Sequence, residues 1–339
     1  MRILVTGGLG FIGSNLIRYL LASRPADSVV NFDAETYAGN RDNLVDINDH
    51  PRYRFVLGDI LDREKVALSM HGCDAVIHLA AETHVDRSIH DSGQFVKTNV
   101  LGTQTLLETA RSLGVKKFVH VSTDEVYGSK ETGYSREDDV LAPRSPYAAS
   151  KAASDMLVRS YHVTYGLNVV IGRCSNNFGP YQFPEKAIPL MISNVLEGKP
   201  YPLYGDGLQV RDWLYVLDHV RALQILLERG APGEVYNIGG AYSCANIDLT
   251  KRIFKILCAS ESLIQRVADR PGHDRRYALN CGKISELGWK PVYRFDEALL
   301  QTVNWYKENA SWWRNVKSRT RYQEYYSKQY APRVAVTAD

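Results

Sequence analysis

The stretch RILVTGGLGFIGSNLIRYLL, residues 2–21, decides the fold. RILVT (2–6) is a short apolar run of strand type, and TGGLGFIGS (6–14) follows it directly. Ile12, Leu16, Leu20 and Leu21 then share one helical face, while Arg18 points elsewhere. A strand that turns through Gly7, Gly10 and Gly13 into a helix allows a tight bend and close backbone approach to a pyrophosphate. It also aims a helix N-terminus at the anion.

Outward from that turn, SVVNF (28–32), RFVLG (54–58), AVIHLA (75–80), KKFVHVST (116–123) and NVVIGRC (168–174) alternate with longer helical patterns. Continuous apolar strands separated by helices predict an α/β fold, a Rossmann-type doubly wound parallel sheet covered on both faces. Phe95, Val96, Val100, Leu106, Leu107 and Ala110 predict one long helix over 93–113. From about 176 the chain turns irregular, rich in Gly, Pro, Asn and Tyr, with helical segments resuming near 187–197 and 247–258. The expected organisation is a dinucleotide-binding, catalytic domain over 1–175, then a smaller, irregular substrate-binding lobe over 176–310, partly interleaved with the sheet. A basic, aromatic tail over 311–339 is left open between a docked helix and a mobile end.

Asp33 ends the second strand, 20 residues past Gly13, where a carboxylate takes both hydroxyls of an adenosine ribose. It would repel the extra phosphate of NADP, so NAD is the expected cofactor. Asp59, after the third strand, reads equally as an adenine contact or a turn residue.

Composition narrows the function classes. The 339 residues hold 41 Lys and Arg against 38 Asp and Glu, and a net charge of +3 spread over short runs gives no nucleic-acid footprint. No apolar stretch approaches the roughly 20 residues of a membrane span, and MRILVTGG reads as strand and turn rather than a signal peptide. A cytoplasmic protein is expected. Cys73, Cys174, Cys244, Cys258 and Cys281 are widely spaced, with no pairing or metal-ligand pattern, and read as free thiols. No metal is expected.

Tyr147 and Lys151 stand four apart in SPYAASKAASDMLV and project from one helical face. A Lys ammonium there is expected to lower the phenol's pKa from about 10 and make it a base. STDEVYG (122–128) follows the fifth strand, where parallel sheets keep their chemistry. It offers the Thr123 hydroxyl and two adjacent carboxyls, Asp124 and Glu125, with apolar Val126 and Tyr127 beyond them. Partial burial would push their two pKa values apart.

Together these segments resemble the extended short-chain dehydrogenase/reductase family, and within it the dehydratases that act on dTDP-hexoses. AETHVDRSI (81–89), STDEVYG, PYAASKAASD (146–155), RCSNNFGPYQFPEKAIPL (173–190), GDGLQVRDWLYV (205–216), YNIGG (236–240) and RPGHDRRYAL (270–279) carry the likeness, to about residue 306. The resemblance implies a lyase that oxidises C4 of a dTDP-glucose sugar with bound NAD, eliminates water across C5 and C6, and returns the hydride to C6. Tyr147, Lys151 and Thr123 would serve C4, Glu125 the C5 proton and Asp124 the C6 hydroxyl. It further implies cofactor contacts from Phe11, Ile12, Ile60, Leu79, Ala80, Ala81, Thr98 and Val121. Glu82, His84, Asn176 and Lys186 would lie near the sugar or its phosphates, Arg211, Arg270 and His273 at the pyrophosphate, and Pro202, Tyr204, Asn246 and Tyr277 at the base and ribose. A homodimer paired through 93–113 and 146–165 is implied as well.

A UDP-sugar epimerase or decarboxylase shares the glycine turn and the Tyr-Lys pair, but has no use for both Asp124 and Glu125. A non-catalytic NAD-binding module would be expected to lose members of the five-residue set. AYSCANIDL (241–249) and Asn280 depart from the family pattern next to the expected nucleotide pocket, so the base preference is the least fixed of these expectations.

Overall fold

The computed structural model describes residues 1–335. The first half runs β1 (Arg2–Thr6), α1 (Phe11–Ser23), β2 (Ser28–Asp33), β3 (Tyr53–Leu57), α2 (Arg63–Met70), β4 (Ala75–His78), α3 (Val85–His90), α4 (Ser92–Phe95), α5 (Thr103–Ser112), β5 (Lys117–Thr123), α6 (Pro146–Tyr165) and β6 (Val169–Cys174). The second half runs β7 (Asn176–Phe178), α7 (Ala187–Leu196), β8 (Tyr201–Tyr204), β9 (Val210–Tyr215), α8 (Val216–Arg229), β10 (Val235–Ile238), β11 (Ser243–Ala245), α9 (Asn246–Ile256), β12 (Ile264–Val267), α10 (Gly282–Glu286), α11 (Phe295–Glu308), α12 (Ala310–Ser318) and α13 (Thr320–Ala335).

Seven strands form one parallel sheet in the order β10-β6-β5-β4-β1-β2-β3. Because side chains alternate across a strand, Ile3 and Val5 of β1 enter the core on one face while Leu4 enters the core on the other. This is why the strands read as unbroken apolar runs: both faces are buried. The order reverses beside β1, which opens a crevice at the carboxyl ends of β1 and β4, below the glycine turn. Residues after β6 return to the sheet once, as β10. They also build the small sheet β11-β9-β7 and the pair β12-β8.

The expected single helix over 93–113 is interrupted. Residues Val96–Gly102 form a π-helical turn between α4 and α5. The wider turn rotates the face presented to the core, so Phe95, Leu106, Leu107 and Ala110 are buried while Val96 lies half exposed.

The tail is docked. Trp312, Trp313 and Val316 of α12 and Tyr322, Tyr325 and Tyr330 of α13 are buried, and only its last residues, 336–339, fall outside the described range. Trp313 is fully buried, and its indole N–H donates to the Tyr306 carbonyl at 2.8 Å. Trp313→Ala opens a cavity and removes that bond together, so a loss of about 3–5 kcal/mol of folding stability is expected. Denaturant melts with urea measure it, and a change under about 1 kcal/mol would mean the tail adds little to the core.

Candidate active site

The glycine turn is held by contacts that leave no room for side chains. A Cβ at Gly13 would stand 2.2 Å from the Gly7 carbonyl oxygen, and one at Gly7, where φ is +74°, would stand 2.7 Å from the Ala80 nitrogen. The α1 N-terminus carries no side-chain cap, so its first N–H groups stay available to an anion. Asp33, buried at the end of β2, accepts from the backbone N–H of Leu9 at 2.9 Å and of Glu35 at 2.7 Å. Burial nevertheless lifts its carboxyl above the ordinary range. Each oxygen keeps a lone pair for a further donor such as a ribose hydroxyl.

One cleft runs from this turn to the catalytic segment. It is lined by Gly7, Gly10, Phe11, Ile12, Gly13, Asp33, Asp59, Ile60, Leu79, Ala80, Ala81, Thr98, Val121, Thr123, Asp124, Glu125, Tyr147 and Lys151, and also by Glu82, Asn176 and Lys186. Residues from five strand ends and from α6 therefore meet in one cavity, as a dinucleotide with a sugar beside its reactive end requires. The glycine cradle, the uncapped helix and Asp33 fit NAD, and the buried Asn176 Oδ1 and Asp124 Oδ2, neither with a hydrogen-bond partner, leave acceptors for a second ligand.

Burial governs the titratable groups. Asp124 is raised well above the carboxylate range by desolvation, by the charge of Glu125 and by that of Asp212. Glu125 is raised by desolvation too, but Arg270, Arg211 and Lys186 pull it back down. The two neighbours are thus pushed apart, Asp124 furthest up and Glu125 held back by the cations around it. Asp212, in β9, is itself lifted to about 6 by burial.

The Tyr-Lys pair departs from expectation. Lys151 Nζ donates 2.7 Å to the Val121 carbonyl, and desolvation lowers its ammonium to about 8. The Tyr147 phenol is raised well above 10 by desolvation and by the charge of Glu125, while the Thr123 hydroxyl bonded to it opposes the rise. Lys151 alone does not hold the phenol down, because a buried phenolate lacks water and faces the charge of Glu125.

The other expected sugar and nucleotide residues lie beyond this cleft. His84 is buried against Tyr325 of α13, with 3.3 Å between Nδ1 and the phenol oxygen. Arg211 stacks 4.3 Å over Tyr277 and donates only to the carbonyls of Val210 and Asp274. Arg270 pairs with Asp86 at 3.6 Å, and His273 meets Asp269 at 2.6 Å. Tyr204 donates to Asp86 at 2.9 Å, Tyr277 donates to Asp274 at 2.6 Å, Pro202 lies buried in β8, and Asn246 opens α9. The electrostatic reach of Arg211 and Arg270 onto Glu125 places this second group beside the cleft. Asn280, taken as touching the nucleotide pocket, is instead exposed, and its side chain accepts from Gly282 N at the start of α10.

Sequence reasoning passed over Tyr37, Cys174 and Glu185, which also line the cleft. Glu185 pairs with Arg87 at 2.8 Å, and Arg87 stacks 4.0 Å over Tyr37. Glu185 stands next to Lys186 in the quoted motif, which was a usable signal; Tyr37 and Arg87 meet only through the fold.

Gly13→Ala forces α1 away from β1, so loss of NAD retention is expected with a lowered melting temperature. Absorbance of the bound nucleotide after desalting and a thermal melt check both, and normal retention would show that the turn can widen at no cost.

The chain matches the family model described as GDP-mannose 4,6 dehydratase over residues 4–302. It is 50% identical over 323 residues to a dTDP-glucose 4,6-dehydratase of Streptomyces niveus, covering 94% of this chain and 96% of that one. Among solved structures, the dTDP-glucose 4,6-dehydratase of Streptomyces venezuelae with NAD bound superposes with a TM-score of 0.92 at 53% identity, over 94% of this chain and 100% of that one. That of Bacillus anthracis, also in complex with NAD, gives 0.88 at 48% identity, over 94% and 100%. Coverage on this scale, with the glycine turn and the Thr-Asp-Glu and Tyr-Lys sets in one cleft, makes the chain a member of the extended short-chain dehydrogenase/reductase family, among its nucleotide-sugar 4,6-dehydratases.

Proposed function

We propose that this enzyme is an NAD-dependent lyase that converts dTDP-glucose into dTDP-4-keto-6-deoxyglucose. The observation that carries the reading is the Asp124-Glu125 pair opening on the cofactor cleft, both carboxyls raised by desolvation, Asp124 further by the charge of Glu125 while Arg270, Arg211 and Lys186 draw Glu125 back down. The glycine turn and Asp33 would hold NAD, with Tyr147, Lys151 and Val121 at its reactive end. Bound NAD supplies the acceptor for the C4 hydride and, later, its donor to C6.

Tyr147 would take the C4 hydroxyl proton as a phenolate, a state that the positive charge of bound NAD would favour against burial and Glu125, and the Thr123 hydroxyl orients that exchange. With C4 a ketone, the C5 proton is acidified because its loss gives an enolate. Glu125 removes it. Asp124 gives its proton to the C6 hydroxyl, which leaves as water, and C5 later regains a proton by way of Glu125. Lys186, Arg211 and Arg270 would bind the diphosphate: Lys186 and Arg211 donate to backbone carbonyls and only Arg270 is paired, with Asp86, so the three together keep an excess of positive charge for a doubly charged ligand. Glu82, Asn176 and His84 would flank the sugar and its phosphates, His273 the pyrophosphate, and Tyr204, Pro202, Asn246 and Tyr277 the base and ribose.

The same reading includes a homodimer through the segments 93–113 and 146–165, supported by exposed Leu101, Met156 and Val163. No helix of the described residues is long and apolar enough to cross a membrane, and the cytoplasm is the proposed place of work on a soluble nucleotide sugar.

Purified protein incubated with dTDP-glucose in deuterated water is expected to yield a product one water lighter, carrying deuterium at C5. UDP-glucose should turn over less well at equal concentration. A preference for another nucleotide overturns the substrate, and a product with hydrogen retained at C5 overturns the role of Glu125.

The pH profile follows from the two carboxyls. Acidification protonates Glu125 and removes the base; alkalinisation ionises Asp124 and removes the acid, so turnover falls on both sides. Asp124→Asn is expected to cut turnover by about 100-fold or more and to abolish the alkaline fall. An unchanged alkaline limb in this variant assigns it to another group.

A further inference from the structure

The α12 helix reaches back across the whole chain to the glycine turn through a buried run of hydrogen bonds. The Trp312 indole N–H donates to Asn43 Oδ1 at 2.9 Å, and Asn43 Nδ2 donates to the Leu9 carbonyl at 2.8 Å. The Leu9 N–H in turn donates to Asp33 Oδ2 at 2.9 Å. A parallel branch joins Arg319 to Asn40 Oδ1 at 3.1 Å, and the Asn40 N–H donates to the same Leu9 carbonyl at 3.1 Å. Leu9, Asp33, Asn40, Asn43 and Trp312 are all buried.

We propose that Trp312 and Asn43 are positioning residues for NAD, fixing the Leu9 peptide between the glycine turn and the Asp33 carboxylate. Leu9 lies inside the turn, and both of its backbone polar groups are committed: the N–H to Asp33, the carbonyl to the Asn43 and Asn40 donors. Neither peptide unit flanking Leu9 can rotate without breaking buried bonds. The loop after β2, which carries Asn40 and Asn43, is therefore pinned from outside by α12. Neither Trp312 nor Asn43 lines the cleft. Their effect on the cofactor passes through Leu9 and Asp33, and it rests on the reading of this cleft as the NAD site.

The test uses the holoenzyme and follows exchange of bound NAD for radiolabelled NAD. Trp312→Phe keeps the ring but loses the donor, leaving Asn43 Oδ1 unpaired. Exchange is expected to accelerate about tenfold, a change that corresponds to about 1.4 kcal/mol, while turnover at saturating NAD stays near wild type. Trp313→Phe is the control, because it removes an indole N–H of the same helix that bonds Tyr306 instead. Its exchange rate should stay unchanged. Asn43→Ser breaks the run from the other side, serves if Trp312→Phe does not fold, and combined with it should add little further. Equal acceleration in Trp312→Phe and Trp313→Phe, or wild-type exchange in Trp312→Phe and Asn43→Ser, overturns the proposal. Wild-type protein that takes up no NAD overturns the assignment of the cleft, and the coupling with it.

Discussion

Two carboxyl groups on consecutive residues, Asp124 buried and Glu125 partly so, each resist the other's ionisation, and the site is arranged around that constraint. Asp124 and Glu125 leave β5 at the crevice where solvent is excluded by α6 on one side and the second lobe on the other. Desolvation acts on both. What separates them is the balance of charge around each: Asp124 feels Glu125 and Asp212 against Arg211 alone, whereas Glu125 feels Arg270, Arg211 and Lys186 against Asp274. Residues beyond β6 thus act on the site electrostatically, and without their cations the two carboxyls would be much more alike.

The strands, the glycine turn and the catalytic segments were legible because each is a local pattern. A β-branched run, three glycines at fixed spacing and a carboxylate after the second strand need no knowledge of distant residues to be read. The π-helical turn at Val96–Gly102 was not legible, since its sequence keeps helical periodicity and only the packing of Phe95 against Tyr147 shows the shifted face. The docked tail was equally hidden. Its aromatic residues fit either state until the partners of Trp312 and Tyr325, more than 200 residues away, are known.

Site residues divide in the same way. Every residue expected at the cofactor lines one cleft, because all of them sit at strand ends or on the helices that follow, whose positions the sheet dictates. The residues expected at the nucleotide come from β8, β9, the start of α9 and the irregular segment around 270–277, outside the seven-stranded sheet. Their motif names the residue types but not which partners they take. Arg270 on Asp86 and His273 on Asp269 are pairings that only the folded lobe defines. Lys151 gives the opposite lesson: its spacing from Tyr147 is right, yet its ammonium bonds the Val121 carbonyl. Spacing fixes which face two side chains share, and burial decides what their charges do there.

A reaction that takes a hydride from one carbon and returns it to another of the same sugar needs a cofactor that does not leave between the two events. The ligand must then be held by a surface that gives way little during turnover. A glycine turn alone is a poor surface of that kind, because the residues that let the backbone approach a pyrophosphate also let it move. Rigidity has to come from elsewhere. In this fold it comes from the chain's far end, whose indole and guanidinium groups hold the loop that holds Leu9. The long aromatic tail, part of the core by its buried Trp313, Val316 and Tyr322, acquires a second reason once the glycine turn is seen as a surface that must not shift during turnover.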